Sequence, residues 1–513
     1  MRLMLFPIYF GLLGGLGATP VSDSPETVQE HYEQAASHLD VGGALYTIRN
    51  VDGHAEKNIE EIGSLIGSMS QQKTTGKTDL GERLKSYFRE HGAFASHTLA
   101  ASTVPRKNGL RDIKLFIGRD KSARRKLFWQ GLIGGEPSPA KHLTNLPQNT
   151  VLALETATDA DALWSMVRDG ILRFACNGDK QKLAEMLTAA KQETGVSLDK
   201  LFASFKPNLT FSVQLDQEQT TTLPVPNSGR GINIPKPGFM IVAEVSNDVP
   251  LQFLRNTFRK EGNELESVDT DFGTMYRLPN PAKGPLSMQF TVMIHEKVLY
   301  VASEPALIKK QLMTGKAQNL GSNAEFKKAY KGLPEEGNVF FYCDAEFRTI
   351  MNKVIEQLKN VSLGAGDPSW RAMQMFIPEK TVEISSGWVL ANRPEGLLLK
   401  GQGEGGFAQQ LTKGSAGIYM PLMAAIAIPS FMQGREAAQR NACIHNLRII
   451  DSAKQQWALE TGAAGDAVPS GEEIGQYIDG GFKGLECPKG GNYSINKLDE
   501  KPECSMPGHS FPR

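Results

Sequence analysis

The chain has 513 residues, of which 40% are apolar, and it carries 56 basic and 56 acidic side chains, so its formal net charge is zero. The apolar content is high enough for folded cores and argues against a disordered chain. The zero balance and the absence of a basic block argue against nucleic acid as a partner. A chain of this length is expected to form two or three domains.

The first twenty residues, MRLMLFPIYFGLLGGLGATP, have the pattern of a secretory signal peptide. Arg2 supplies a positive charge, residues 3–16 form a short apolar segment, and small residues follow. The apolar segment is too short for a comfortable membrane span. We therefore predict a signal peptide over residues 1–18 and export to the periplasm or cell envelope, with an uncleaved anchor as the alternative. The first cysteine is Cys176, so no lipid attachment is expected near the cleavage point.

A turn, an apolar segment of strand length and an amphipathic helix recur along the chain. The four copies begin at Leu39, Leu146, Ile234 and Leu333. Strand pairs around VPRKNGL, HEK and NRPEG predict hairpins, and their alternating polarity is typical of antiparallel sheets with one solvated face. We therefore predict an α+β fold with two pseudo-duplicated antiparallel-sheet and helix domains, over residues 21–230 and 231–405. The sequence DQEQTTTLPVPNSGRG between them predicts a linker.

No motif of a serine hydrolase, a zinc protease or a nucleotide-binding loop is found in the sequence. His31 and His38 lie seven positions apart without a third ligand, and we interpret them as solvent-exposed helix residues. Adjacent carboxylates such as Glu335 and Glu336 cannot share a proton on a helix and are expected at the surface. We therefore predict no catalytic residue, no cofactor and no metal, which makes the protein a non-enzyme.

Two cysteines near the C-terminus, Cys487 and Cys504, flank the glycine-containing sequence PKGGNYSINKLDEKPE. Two isolated cysteines in an exported chain favour a disulfide, so we predict a Cys487–Cys504 bond. Closing this loop would contribute about 3 kcal/mol in the chain-entropy model. The alternative is zinc, with Cys487, Cys504 and His509 as ligands. We expect Cys443 to be a free thiol that packs as a hydrophobic group.

An apolar segment closed by Ile-Pro precedes an amphipathic helix in the sequence AAIAIPSFMQGREAAQRNACIHNLRIIDSAKQQW. Cys443, Leu447, Ile450 and Trp457 fall on one face of that helix. The sequence resembles the first helix of type IV pilins and of type II secretion pseudopilins. In that family the apolar half spans the membrane and the polar half packs under a small C-terminal sheet. The resemblance implies that Pro429 marks the exit of the helix from the membrane.

The resemblance divides the C-terminal quarter into an apolar run with a pilin-like helix, residues 415–460, and a small β and loop region, residues 461–513. Gly414 is followed by neither the phenylalanine nor the acidic residue of polymer-forming pilins. The apolar run Ser415–Phe431 would be about 25 Å long as a helix, shorter than the roughly 30 Å of membrane hydrocarbon. We therefore predict a tail without polymer-building parts, in which Ser415–Phe431 lies on the membrane or against protein.

These features together predict a non-enzymatic exported protein of the cell envelope, periplasmic or membrane-associated, with a structural or interaction role. Its expected partners are other envelope proteins of the secretion or pilus type. A periplasmic peptide- or glycan-binding module is the alternative, and an enzyme without a recognisable motif is a third possibility. The binding-module hypothesis directs attention to four aromatic residues, although core packing is the simpler interpretation of each: Trp129, Trp164, Trp370 and Trp388.

Overall fold

The computed structural model describes most of the chain between residues 25 and 506. The described residues are 25–57, 59, 80–174, 177–224, 231–260, 265–279, 288–315, 318–359, 382–403, 440, 443–478, 480–487 and 490–506. They form an α+β structure in two compact units: a body unit within residues 1–418 and a tail unit within residues 419–513.

The body unit combines strands and helices along its whole length. Its main helices are α1 (Pro25–Ser37), α2 (Leu80–Glu90), α3 (Leu127–Leu132), α4 (Ala160–Phe174), α5 (Asn177–Thr194), α6 (Leu198–Ala203), α7 (Val249–Lys260), α8 (Pro305–Met313), α9 (Ala324–Tyr330) and α10 (Ala345–Lys359). Its strands are β1 (Leu45–Asn50), β2 (Ser96–Pro105), β3 (Arg111–Arg119), β4 (Ser138–Pro139), β5 (Thr150–Thr156), β6 (Phe205–Pro224), β7 (Gly231–Val245), β8 (Glu266–Thr270), β9 (Gly273–Arg277), β10 (Thr291–His295), β11 (Val298–Ala302), β12 (Glu336–Gly337), β13 (Val339–Cys343), β14 (Ser386–Arg393) and β15 (Gly396–Gly403).

One sheet of 13 strands organises the body unit, and all its neighbouring strands run antiparallel. The order is β1-β2-β3-β15-β14-β13-β5-β6-β7-β11-β10-β9-β8. The three predicted hairpins are confirmed as β2–β3, β10–β11 and β14–β15. Glu296 and Lys297 form the two-residue turn of the second hairpin with φ of 48° and 62°, the positive values that a tight hairpin turn requires.

The predicted linker is wrong over most of its length. Residues 216–224 belong to β6, and the register continues from Asp216 opposite Lys236 to Pro224 opposite Gly231. Threonine-rich sequence suits a strand as well as a loop, because β-branched side chains fit a pleated surface. The predicted boundary at residues 230 and 231 therefore falls within a long hairpin, and strands from both predicted domains share one sheet.

Around strand β15 both faces of this sheet are covered, where one solvated face was expected. Neighbouring residues of β15 point in opposite directions into separate apolar clusters: Leu397 packs with Trp129 and Leu163, whereas Leu398 packs with Phe116. Further along the sheet, a third cluster joins strand residues such as Met240 to helix residues such as Ile308. Burial on both faces explains why β2 is buried at nearly every position.

The predicted alternation of strand and helix is visible in the described residues: β1 is followed by helical residues 54–57, and the three later copies show longer helices. Strand β5 leads to α4, β7 leads to α7, and β13 leads to α10. Two of these strands are neighbours, since Phe341 of β13 pairs with Leu154 of β5.

The tail unit contains one long helix and a small hairpin. Helix α11 covers residues 443–461, followed by α12 (Gly471–Gly475), β16 (Tyr493–Ser494) and β17 (Glu503–Cys504). The predicted apolar face of α11 is confirmed: Leu447 and Ile450 are fully buried, and Trp457 is nearly so. Gly462, with φ of 66°, ends the helix, as a glycine at this position commonly does.

Several sequence predictions lie outside the described residues. They concern the signal peptide over residues 1–18, the apolar run Ser415–Phe431, the helix exit at Pro429 and the possible zinc ligand His509. Among the residues that are described, no helix is both long enough and apolar enough to cross a membrane.

Candidate metal centre

Three cysteines from separate parts of the tail unit lie together. Cys443 begins helix α11, Cys487 lies in the loop before the hairpin, and Cys504 belongs to β17. Their three sulfur atoms all lie within 4.8 Å of one another. Cys443 is fully buried, Cys487 is buried and Cys504 is half-buried. Cys443 joins the predicted pair of Cys487 and Cys504, although its place on the apolar face of the helix predicts only a packing role.

The predicted Cys487–Cys504 disulfide is not formed in the structure. None of the four cysteines that the structure describes is joined in a disulfide: Cys343, Cys443, Cys487 and Cys504. A disulfide joins two sulfur atoms at about 2.05 Å, and a Cys487–Cys504 bond would leave the buried Cys443 thiol beside it. The arrangement brings together three sulfur donors rather than one pair.

The backbone at Gly490 and Gly491 shapes the space beside the sulfur atoms. The amide of Gly490 donates to the carbonyl of Cys487 at 2.8 Å, and its φ of 74° is the left-handed conformation that favours glycine. A Cβ atom on Gly491 would lie 2.8 Å from the Cys504 sulfur and 3.4 Å from the Cys487 sulfur. Because glycine has no Cβ atom, position 491 leaves room for both sulfur atoms. The sequence alone does not show that a glycine is needed here.

Hydrogen bonds fix the positions of the three segments that carry the cysteines. The backbone amide of Met506 donates to the Cys504 sulfur at 3.5 Å. Asn446, one turn into α11, donates at 3.1 Å both to the carbonyl of Glu486 and to the hydroxyl of Tyr493. Tyr493 itself pairs with Cys504 across the hairpin. Each cysteine is thus fixed by a neighbouring residue that contacts another segment of the site.

Burial disfavours the thiolate form of Cys443. Burial raises the pKa of the Cys443 thiol to about 12; a hydrogen bond from Tyr493 opposes the increase, and the neighbouring cysteines add to it. Burial also raises the pKa of Tyr493 above its usual range. Thiolates are the form that binds metals, so ligation would require the cation itself to displace the protons, as metals do at thiolate sites.

The two histidines singled out in the sequence do not form a site with each other, and the expectation that they are solvent-exposed is wrong. The ring of His31 stacks on His97 with centroids 3.5 Å apart, and the ring of His38 stacks on Phe116 at 4.4 Å. Both are half-buried because α1 packs across the strands of the sheet through Ala35.

The described tryptophans serve packing. Trp129 is almost completely buried, donates to the carbonyl of Gly92 at 2.8 Å and lies under the guanidinium of Arg119. Trp164 stacks on Phe202, and Trp388 stacks on Phe341. Trp370 and Cys176 lie outside the described residues, while Cys343 is buried in β13 as a small hydrophobic residue would be.

Buried charged groups in both units bind the protein's own backbone. The Glu155 carboxylate accepts from the amides of residues 141, 142 and 143 at 2.6–3.0 Å. The Arg119 guanidinium donates at 2.8 Å to Asn392 and to the carbonyl of Arg393. In the tail unit, the Lys454 ammonium donates to the carbonyls of Lys497 and Glu500. These contacts give each buried charge a role in holding loops and strands together.

Comparison of the chain with protein families, with curated proteins and with solved structures gave no match. The chemistry of the three-cysteine cluster is therefore inferred from its geometry.

Proposed function

We propose that this chain is a non-enzymatic, exported protein of the cell envelope that acts by binding other proteins and ends in a pseudopilin-like tail unit. In this proposal the body unit is a scaffold, and its repeated strand-and-helix segments represent a pseudo-duplication. The expected partners are envelope proteins of the secretion or pilus type.

One observation in the tail unit carries the proposal. The buried face of α11, with Ile450, Ala453 and Trp457, packs against the residues that follow it, including Ile474 and Tyr493. A long helix covered by a small C-terminal layer is what the resemblance to pseudopilins implies. This packing supports a tail that folds as a pilin-like module.

The buried charges of the body unit support a structural role. Glu155 and Arg119 are each 2% exposed and are bound to backbone or amide groups that join loops to strands. Charged groups that bind the fold in this way stabilise it.

Two exposed apolar side chains of the tail unit could contact a partner protein. Leu459 on α11 is 86% exposed and Val468 is 61% exposed. Exposed apolar residues are common on any surface, so their role must be tested directly. They are suitable positions for a crosslinking residue because neither contributes to the core.

Export is tested by sequencing the N-terminus of the protein recovered from the envelope fraction of its own cells. The expected start is near Ala18 or Thr19, where small residues follow the apolar segment. An intact Met1 in a cytosolic fraction, or a start at Ser415, would overturn the proposed export.

Partner binding is tested by placing a photo-crosslinking amino acid at Leu459 in intact cells. Adducts with pilus- or secretion-type envelope proteins, identified by mass spectrometry, are expected. Met313 of the body unit, which is 72% exposed, is the matched control position for an exposed apolar residue. Equal adducts at both positions, or none of this class at Leu459, would contradict the proposed role of the tail.

A further inference from the structure

We propose that Cys443, Cys487 and Cys504 are ligands of one structural zinc ion that joins the start of helix α11 to the C-terminal hairpin. This site is inferred from the geometry of the tail unit, so the tests of export and partner binding do not decide it. In an oxidising compartment the bound metal would have to protect the three thiolates from oxidation. From the sequence, zinc is only an alternative to the disulfide, and Cys443 is not among its ligands.

The sulfur positions fit tetrahedral thiolate coordination. At a zinc–sulfur distance of about 2.3 Å, neighbouring sulfur atoms of a tetrahedral site lie about 3.8 Å apart. The three sulfur atoms lie within 4.8 Å of one another, so small side-chain adjustments suffice to bind one ion. Thiolate donors select soft or borderline ions such as zinc over magnesium or calcium.

The number of thiols favours a metal over a disulfide. A disulfide uses two sulfur atoms and would leave one cysteine buried against it, whereas a zinc ion uses all three. Cys443 is 0% exposed and lies 44 positions before Cys487 in the chain. Its position in the cluster therefore reflects the fold of the whole tail unit rather than the geometry of a local loop.

The surroundings supply the contacts that a metal site needs around its ligands. The Met506 amide directed at the Cys504 sulfur would stabilise a thiolate there. Asn446 ties α11 to the carbonyl of the residue before Cys487, which fixes one ligand relative to another. Gly491 keeps the space beside two of the sulfur atoms open.

Structural zinc sites take four ligands, and three cysteines with one histidine is one of their common ligand sets. The proposal concerns only the three cysteines that the structure describes.

Zinc in this position would couple metal binding to folding of the tail. The ion would link α11, the loop at Cys487 and strand β17, whose hairpin pairs over only two residues on each strand. Short hairpins are marginally stable by themselves. Metal binding at such a site contributes directly to folding.

The test uses the full-length chain after reduction and removal of metal. The affinity for Zn²⁺ is measured by competition with a chromophoric chelator. Co²⁺ is then added in place of zinc, and its absorption spectrum reports the type of ligand. We expect one ion per chain and the thiolate-to-cobalt charge-transfer bands of a tetrahedral sulfur site. Hydrogen exchange in residues 443–461 is expected to slow when Zn²⁺ is added.

Each of Cys443→Ser, Cys487→Ser and Cys504→Ser is expected to weaken zinc binding at least 100-fold, while Cys343→Ser, a buried thiol of the body unit, leaves it unchanged. Because a cysteine variant can fail to fold, the cobalt spectrum of the unaltered chain is the independent measurement. A reduced chain that binds no ion, a cobalt spectrum without thiolate bands, or a bridged Cys487–Cys504 peptide from native protein would overturn the proposal.

Discussion

Gly491 provides a way to disturb the three-cysteine cluster without changing a ligand. In Gly491→Ala the new Cβ would lie 2.8 Å from the Cys504 sulfur, against at least 3.4 Å for an ordinary contact. The new Cβ and the Cys504 sulfur would therefore have to move apart by about 0.6 Å. Binding one ion already requires the sulfur atoms to adjust, and a Cβ at position 491 would restrict the space available to the Cys504 sulfur, so the cluster should reach the geometry of a zinc site less readily.

We expect Gly491→Ala to weaken zinc binding by about 10- to 100-fold, the size of effect seen for residues that position metal ligands. The metal-free chain should also lose about 1–3 kcal/mol of its free energy of unfolding, because the new Cβ crowds Met506 and the sulfur atoms. The assay is a zinc competition titration of the full-length variant, paired with urea unfolding of the metal-free protein.

Gly484→Ala is the matched control, because a Cβ at position 484 would meet no atom within 4 Å. This variant should bind zinc like the unaltered chain. If Gly491→Ala also binds zinc with unchanged affinity, the space beside the sulfur atoms has no role in metal binding and the geometric reasoning is refuted.

Three further predictions concern buried polar groups. Lys454→Met removes an ammonium that donates to two backbone carbonyls. We expect urea unfolding to show that the tail unit loses about 2–3 kcal/mol of its free energy of unfolding. The control Lys501→Met, at an exposed position, should change this free energy by no more than about 0.5 kcal/mol. Glu155→Gln weakens a carboxylate site for three amides and should destabilise the body unit by about 2–3 kcal/mol. Burial lowers the pKa of His97 to about 4 from 6.5. As the pH falls, the unfolded chain therefore binds a proton at this histidine before the folded chain does. The free energy of unfolding should decrease by up to about 3 kcal/mol between pH 6.5 and pH 4.

Each of these expectations has an opposing result. Equal stability of the Lys454→Met and Lys501→Met variants would mean that the buried ammonium does not hold the loop. An unchanged Glu155→Gln variant would mean that the three amides find other partners. A His97→Gln variant whose stability changes with pH as steeply as that of the unaltered chain would assign the acid sensitivity to other groups.

Local patterns in the sequence predicted the elements that depend on near neighbours. The buried face of α11 follows from the spacing of Leu447, Ile450 and Trp457, because residues three, four and seven apart share one side of a helix. The hairpin at Glu296 and Lys297 follows from two alternating strands separated by a short polar turn. In both cases the determining contacts lie within one element or across one turn.

Contacts between distant residues were not predictable in this way. Strand β13 pairs with β5 through Phe341 and Leu154, and no local pattern specifies which strand of a large sheet becomes the neighbour of another. The threonine-rich end of β6 was misinterpreted as a linker because composition alone does not reveal its pairing with β7. Cys443 is a further example. Its helical spacing explains why it is buried, but it does not specify that the sulfur atom lies close to those of Cys487 and Cys504.

The most direct test of the zinc site is X-ray absorption at the zinc edge of full-length protein purified without chelators under reducing conditions. We expect one zinc per chain with a first shell of about three sulfur atoms near 2.3 Å, completed by one lighter donor. A first shell of nitrogen and oxygen alone, or a chain that carries no zinc while its thiols remain reduced and titratable, would contradict the assignment of Cys443, Cys487 and Cys504 as ligands.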